Sequence, residues 1–313
     1  MAPNLFGISF GIAGLAQAWT VARGAANTPE WPGIVLWLAA GVLWVLTLVA
    51  YVDNLFHRGH VGKEFTHPVT GPFISLIPIV PMLLGVALKP YADTAGKCIY
   101  LVAFVVTVFL GGWLTGVWIR VDMELVDWHP GYFLPTVAGG LLAAGGAAAF
   151  NWTRLSELMF GFGFICWVVL GSILLLRLFT QPALPNRLLP VIAIEFAPPV
   201  VAGNVWFAMN GGRADFVASG LAGYALLMAL VQISMISSYR MAPFGPPYWA
   251  FAFTYIAAIT DVIIWLKAES VDGSRAFTYA LLAVSTLGYA LLATQTVRGL
   301  IRGTFLPDFP TGD

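Results

Sequence analysis

Ten apolar stretches run through this chain, and every proline inside one of them falls in an odd-numbered stretch. The stretches are roughly 5–23, 33–55, 71–89, 95–119, 130–150, 155–178, 188–209, 215–238, 246–267 and 276–298, each near the ~20 residues that cross a bilayer. The third carries Pro78 and Pro81, the fifth Pro135, the seventh Pro198 and Pro199, and the ninth begins at Pro246-Pro247. The first has no internal proline but carries Gly7, Gly11 and Gly14; within these bounds the even stretches contain no proline. A broken helix is tolerated in lipid only where protein or a water-filled cavity satisfies the freed backbone groups. The alternation therefore predicts an inner ring of bent helices around a hydrated path. Straight helices would wall that ring off from lipid.

Composition agrees with an all-α integral membrane protein. Apolar residues make up 59% of the 313 and charged residues 10%, with a mean hydropathy of +0.84. A soluble domain carries about a quarter charged residues. No stretch is long and polar enough for a second domain, so residues 1–313 read as one transmembrane unit. Net charge is zero, which gives no basic face for nucleic acid. Cys98 and Cys166 sit in different apolar stretches and read as buried thiols acting as small hydrophobes. The start, Met-Ala-Pro-Asn, lacks the basic region of a signal peptide, so the first span is expected to be retained.

Short links between the spans imply five antiparallel helical hairpins, each pairing a bent helix with a straight one. Gly139-Gly140 and Gly145-Gly146 would let helices approach closely in the inner ring. Even stretches such as Val102-Ala-Phe-Val-Val106 are apolar on all sides and read as lipid-facing. An even number of spans returns both termini to one side, taken as cytoplasmic. Charge does not decide it: that side carries eight of the 15 lysines and arginines and the other seven.

Side-chain chemistry excludes more than it offers. His57, His60, His67 and His129 all lie in links, so no histidine is placed to ligate a haem within the bundle. His57, His60, Glu64 and His67 have helical spacing but no closed tetrahedral set, and a solvated connector is favoured over a zinc site. His67-Pro68 and His129-Pro130 each precede a bent span, as pore-mouth residues or as helix-start punctuation. There is no phosphate loop, no His-Glu-x-x-His pair and no lysine deep in a span. Neither an enzyme nor a cofactor or metal is expected.

Two acids lie well inside spans, Glu195 and Asp261. An ionised acid in lipid costs about 2.5–3.5 kcal/mol on insertion scales, so both should face the interior. Each reads either as a proton or selectivity site or as a neutral or paired brace. The ninth span carries Trp249-Ala-Phe-Ala-Phe253, with Trp249 and Phe253 on one helix face. A large aromatic ring in a lumen of small residues closes a pore by sterics and dewetting. Aromatic residues also serve as packing and interface anchors.

Phe6-Gly-Ile-Ser-Phe-Gly11, His67-Pro-Val, Ile74-Ser-Leu-Ile-Pro-Ile79, Met82-Leu-Leu-Gly85, His129-Pro-Gly-Tyr-Phe-Leu-Pro135, Ala197-Pro198 and Trp249-Ala-Phe-Ala-Phe253 occur in this order. In this the chain resembles the tellurite-resistance/dicarboxylate transporter family, which includes the bacterial TehA proteins and the slow-type anion channels of plant guard cells. The resemblance implies a homotrimer in the bacterial inner (plasma) membrane, with a pore in each protomer lined by the odd helices. It also implies a phenylalanine gate on the ninth helix, here Phe253. Gly7, Phe10, Pro78, Pro81, Pro135, Pro198 and Trp249 are then expected to line the pore. Glu195 departs from the pattern, since the bacterial channels carry an apolar residue there. At ~4 Å and an effective dielectric of 20, like charges repel by about 4 kcal/mol. Glu195 must therefore be protonated, paired or turned from an anion path, or else serve a proton-coupled carrier.

The leading expectation is an inner-membrane channel passing small inorganic anions or carboxylates. The alternative is a proton-coupled exporter of malate-like C4-dicarboxylates or sulfite, with tellurite resistance as a possible consequence. A structural or sensory bundle without transport is disfavoured, because it has no use for concentrating its broken helices.

Overall fold

The computed structural model describes residues 2–58 and 65–306. Ten helical segments in it are long and apolar enough to cross a membrane. Spans 1 to 5 are Pro3–Ala26, Trp31–His57, Gly71–Leu88, Asp93–Arg120 and Pro130–Ala149. Spans 6 to 10 are Thr153–Thr180, Asn186–Met209, Phe216–Ser234, Pro246–Ala268 and Ser274–Ile301. No strand occurs among the described residues. Each odd span packs against the even span that follows it, which gives five hairpins.

Two concentric layers follow from the burial. In the odd spans 44 to 83% of the most apolar window is buried, against 11 to 28% in the even spans. Span 1 packs on span 3, 3 on 5, 5 on 7, 7 on 9, and 9 back on 1, so the inner ring closes on itself. Even spans turn apolar side chains such as Leu38, Val102, Phe109 and Leu226 outward. Cys98 is among the outward residues of span 4, contrary to the expected burial, while Cys166 is half-buried. A thiol tolerates a lipid-facing position as readily as an interior one because it behaves as a small hydrophobe.

Glycine sets the distance between layers. A methyl on Gly140 would meet the Gly163 Cα of span 6 at 2.7 Å, and one on Gly146 would run into the Tyr100 ring of span 4. The backbones of spans 5 and 6 therefore touch, as small residues allow in lipid.

Odd spans differ from even ones in helix type as well as in burial. Spans 1, 3, 5, 7 and 9 all open in 3₁₀ turns: Pro3–Leu5, Gly71–Ser75, Pro130–Tyr132, Asn186–Phe196 and Pro246–Tyr248. Span 5 continues through a π-turn at Leu134–Ala138 before becoming α-helical. A 3₁₀ helix rises ~2.0 Å per residue against ~1.5 Å for an α-helix and holds its hydrogen bonds less well. In spans 1, 3, 5 and 9 a proline in the first two positions removes an N–H that would have no partner there, whereas in span 7 Pro190 lies inside the 3₁₀ stretch. Several of the breaks read from sequence are thus changes of helix type along the inner spans, while Pro78 and Pro81 fall within the α-helix Leu76–Leu88 and Pro198 and Pro199 in the first turn of the α-helix Ala197–Met209. The strict alternation also has one exception, since Pro32 lies inside span 2 as the second residue of its helix. A first-turn proline breaks nothing.

Candidate conduction path

All five inner spans run in the same direction, so they share one end where the 3₁₀ turns gather and another where the α-helices finish. Near the first end lies a small cavity of about 50 Å³. At the second end a wide cavity of about 610 Å³ opens. Among the described residues, every one lining either cavity comes from an odd span, apart from Gly211 and Gly212 in the turn after span 7. The spans that carry the prolines are therefore the ones that line both cavities.

Three residues, Leu142, Val201 and Phe253, border both cavities and form the septum between them. The Phe253 ring stacks on Phe10, with centroids 3.8 Å apart and planes 16° from parallel. Span 1 makes space for this pair by lacking side chains. A methyl on Gly14 would sit 3.0 Å from Phe253 and 2.8 Å from Ile256; on Gly11 it would meet Ala252 at 2.8 Å. Span 10 holds the arrangement from outside. Its Thr296 hydroxyl accepts from Trp249 Nε1 at 3.1 Å, and its Tyr289 hydroxyl donates to the Gly11 carbonyl at 2.9 Å.

Gly7, Phe10, Pro198, Trp249 and Phe253 thus come together around the small cavity. Pro78, Pro81 and Pro135 do not border either cavity. Their pyrrolidine rings are used to shape the helix, and neighbouring residues supply the wall: Leu76 and Phe73 in span 3, Leu134 and Val137 in span 5. Phe73 and Phe133 carry no sequence signal that separates them from core residues.

Glu195 is buried yet borders neither cavity. Ile194 and Ala197 on either side of it face the small cavity, while the carboxylate lies within electrostatic reach of Tyr224 in span 8. Of the possibilities left open by sequence, the side chain is turned from the lumen. It forms none of the ion pairs among the described residues, and its Oε1 has no hydrogen-bond partner. The 3₁₀ stretch carries it deeper than α-helical spacing implies, ~18 Å from Asn186 at the 3₁₀ rise. Asp261 is likewise off the path, packed between spans 9 and 7, where a methyl on Gly203 would lie 2.8 Å from its Oδ1.

His129 and His67 act together at the start of the inner ring. His67 Nδ1 accepts from the backbone N–H of Val69 and Thr70, both at 3.2 Å. His129 Nδ1 accepts from Gly131 N–H at 3.1 Å, which leaves its Nε2–H to donate to the Pro68 carbonyl at 3.1 Å. Tyr132 donates to the same carbonyl at 3.0 Å. The histidine–proline pairs are therefore helix-start punctuation, and through His129 they join the start of span 5 to the chain entering span 3. Burial pushes the His129 imidazole down to about 4 from its ordinary 6.5. Of the candidate zinc ligands, His60 and Glu64 lie outside the described residues.

The sequence model of the SLAC1 family, described as voltage-dependent anion channel, matches residues 1–297. The tellurite resistance protein TehA homolog of Haemophilus influenzae is 25% identical over 302 residues, covering 96% of this chain and 91% of that protein. The guard cell S-type anion channel SLAC1 of Arabidopsis thaliana is 26% identical over 308 residues, covering 93% of this chain and 54% of the plant protein. S-type anion channel SLAH3 of the same plant is 25% identical over 322 residues, with 97% and 49% covered. The chain spans about half the length of the plant relatives it matches and nearly all of the bacterial one.

Proposed function

Because this chain belongs to the SLAC1 family of voltage-dependent anion channels, we propose that it conducts small anions down their gradient through the axis of its inner ring. Phe253 is the gate in this reading. The observation that carries it is the septum: one aromatic ring, stacked on Phe10, stands between two cavities lined by the same five helices. The small cavity is lined almost wholly by apolar groups, with Asn4 and Thr254 the polar side chains on its wall among the described residues. A constriction of this kind closes by dewetting, and moving one ring rewets it.

Weak anion binding suits such a path, because an ion has to leave as readily as it enters. The helix starts gathered at the small cavity give a mild positive potential without a fixed charge. Chloride, nitrate and small carboxylates fit this chemistry, and the inner membrane of a bacterium is the proposed setting, with the termini in the cytoplasm. Three copies would associate, each with its own path, as the resemblance implies. The test is current recording on the purified protein in planar bilayers. A reversal potential that follows the chloride gradient, and is indifferent to a superimposed pH gradient, supports conduction. Flux that requires the pH gradient overturns the channel reading in favour of the proton-coupled exporter.

A further inference from the structure

Since all five inner helices run in parallel, their carboxyl ends converge on the wide cavity. Each such end carries the equivalent of roughly −0.5 charge, a field that repels an anion entering from that side. Several cations stand near these ends; Arg213, just after span 7, donates from its Nε to the Asn210 carbonyl at 3.2 Å. Arg23, in the last turn of span 1, is paired with Glu30 at 2.6 Å. Lys89, just after span 3, gives its ammonium to the Ala149 carbonyl at the end of span 5. Lys267, in the last turn of span 9, takes part in none of the ion pairs among the described residues. Among the described residues it is also the only charged side chain on the wall of either axial cavity.

Its position on span 9 is fixed relative to the septum. Phe253, Ile256, Ala257, Thr260, Ile264 and Lys267 share one helix face, and all border the wide cavity. Fourteen residues at 1.5 Å place Lys267 about 21 Å from Phe253 along the axis, at the outer rim. Its ammonium lies against span 1, 3.7 Å from where a Gly24 Cβ would be, and the Gln17 side chain of span 1 borders the same cavity further in.

We propose that Lys267 is an anion-capture site at the mouth of the wide cavity, offsetting the carboxyl-end field and concentrating small inorganic anions or carboxylates above the septum. The inference rests on the anion-conducting reading. A single charge in a low-dielectric cleft raises the local concentration of its counter-ion and the entry rate. It binds loosely at that distance from the gate and does not trap the ion.

Two measurements with chloride as the probe separate the ideas. The first is unitary conductance in bilayers for the full chain, Lys267→Gln, Lys267→Arg and Lys97→Gln, the last removing an exposed cation already paired with Asp93. At ~50 mM salt Lys267→Gln should lower chloride entry from the wide-cavity side roughly threefold or more. The deficit should vanish near 1 M salt, where the screening length is ~3 Å. Lys267→Arg and Lys97→Gln should match the parent. The second is chloride-35 line broadening on the purified proteins, which reports ion residence whether or not ions cross; Lys267→Gln should lose most of it. Equal conductance and equal broadening for the parent and Lys267→Gln overturn the capture site and leave the channel reading standing. Absence of any flux in the parent, with broadening that still depends on Lys267, overturns the channel and keeps the site.

Discussion

At the scale of single residues, the septum depends on one large side chain and the absence of another. Phe253 fills the axis because Gly14 leaves it room. Truncating Phe253 to alanine removes the ring shared by both cavities, and chloride current should rise roughly tenfold, the equivalent of about 1.4 kcal/mol off a barrier. Bilayer recordings of Phe253→Ala beside the parent check this; equal currents from equally well-folded protein would put the barrier elsewhere. Gly14→Ala tests the other half. Its methyl would press on Phe253 and on Ile256 at 2.8 Å, and overpacking of this kind costs about 1–3 kcal/mol. Thermal unfolding in detergent should shift down, and current should not rise, because the ring is pressed further into its seat. Sequence pointed to Phe253 through a motif and to Gly14 through the glycine spacing. It did not reveal that the two meet, because their contact spans the whole chain from the first helix to the ninth.

At the scale of elements, the inner ring was legible because proline and glycine report on backbone hydrogen bonding, which lipid polices strictly. Which residues of those helices face the axis was less legible. A 3₁₀ start repeats every three residues and an α-helix every 3.6, so a face extrapolated from the α-helical part rotates off register in the first turns. Glu195 shows the effect: it sits at the end of the longest 3₁₀ stretch, turned outward, while Ile194 and Ala197 face in. Pro78, Pro81 and Pro135 were expected on the wall for being prolines, yet they shape the helix and others line it. Lys267 closes the ninth stretch, and its fourteen-residue spacing from Phe253 marks it as a member of the same face. Where the starts of spans 3 and 5 are tied, His129 gives a pH signature. Its folded value of about 4 lies below the ordinary 6.5, so the unfolded chain binds the proton first. The stability it contributes is complete above pH 6.5 and falls away as pH drops towards 4, by up to about 3 kcal/mol at ~1.4 kcal/mol per pK unit. His129→Gln, which keeps a donor for the Pro68 carbonyl, should flatten the fall in detergent-melting temperature between pH 6.5 and 4.5. A slope unchanged from the parent would assign the acid sensitivity to carboxylates.

At the scale of the whole molecule, the decisive property is that the inner helices are parallel and closed into a ring, with the outer ones interposed between ring and lipid. A carrier that alternates access needs a site exposed in turn to each side by elements that rock against one another. Here the five inner spans contact each other around a complete circuit, and Phe253, stacked on Phe10, borders both cavities. Neither acid read as a proton site borders the path: Glu195 lies within electrostatic reach of Tyr224 on span 8, and Asp261 packs beside Gly203 of span 7. On this helix the wall of the small cavity is made of Ile194, Ala197 and Pro198, all apolar, and Glu195 is not part of it. It follows that Glu195→Gln, which preserves shape and burial while deleting the proton site, should leave chloride current and its reversal potential as they are in the parent. Applying a two-unit pH gradient should not shift that potential in either protein. Should the parent's reversal potential move with the pH gradient and the variant's stay fixed, Glu195 is coupled to transport after all, and the inner ring must open in a way that its closed circuit of contacts does not suggest.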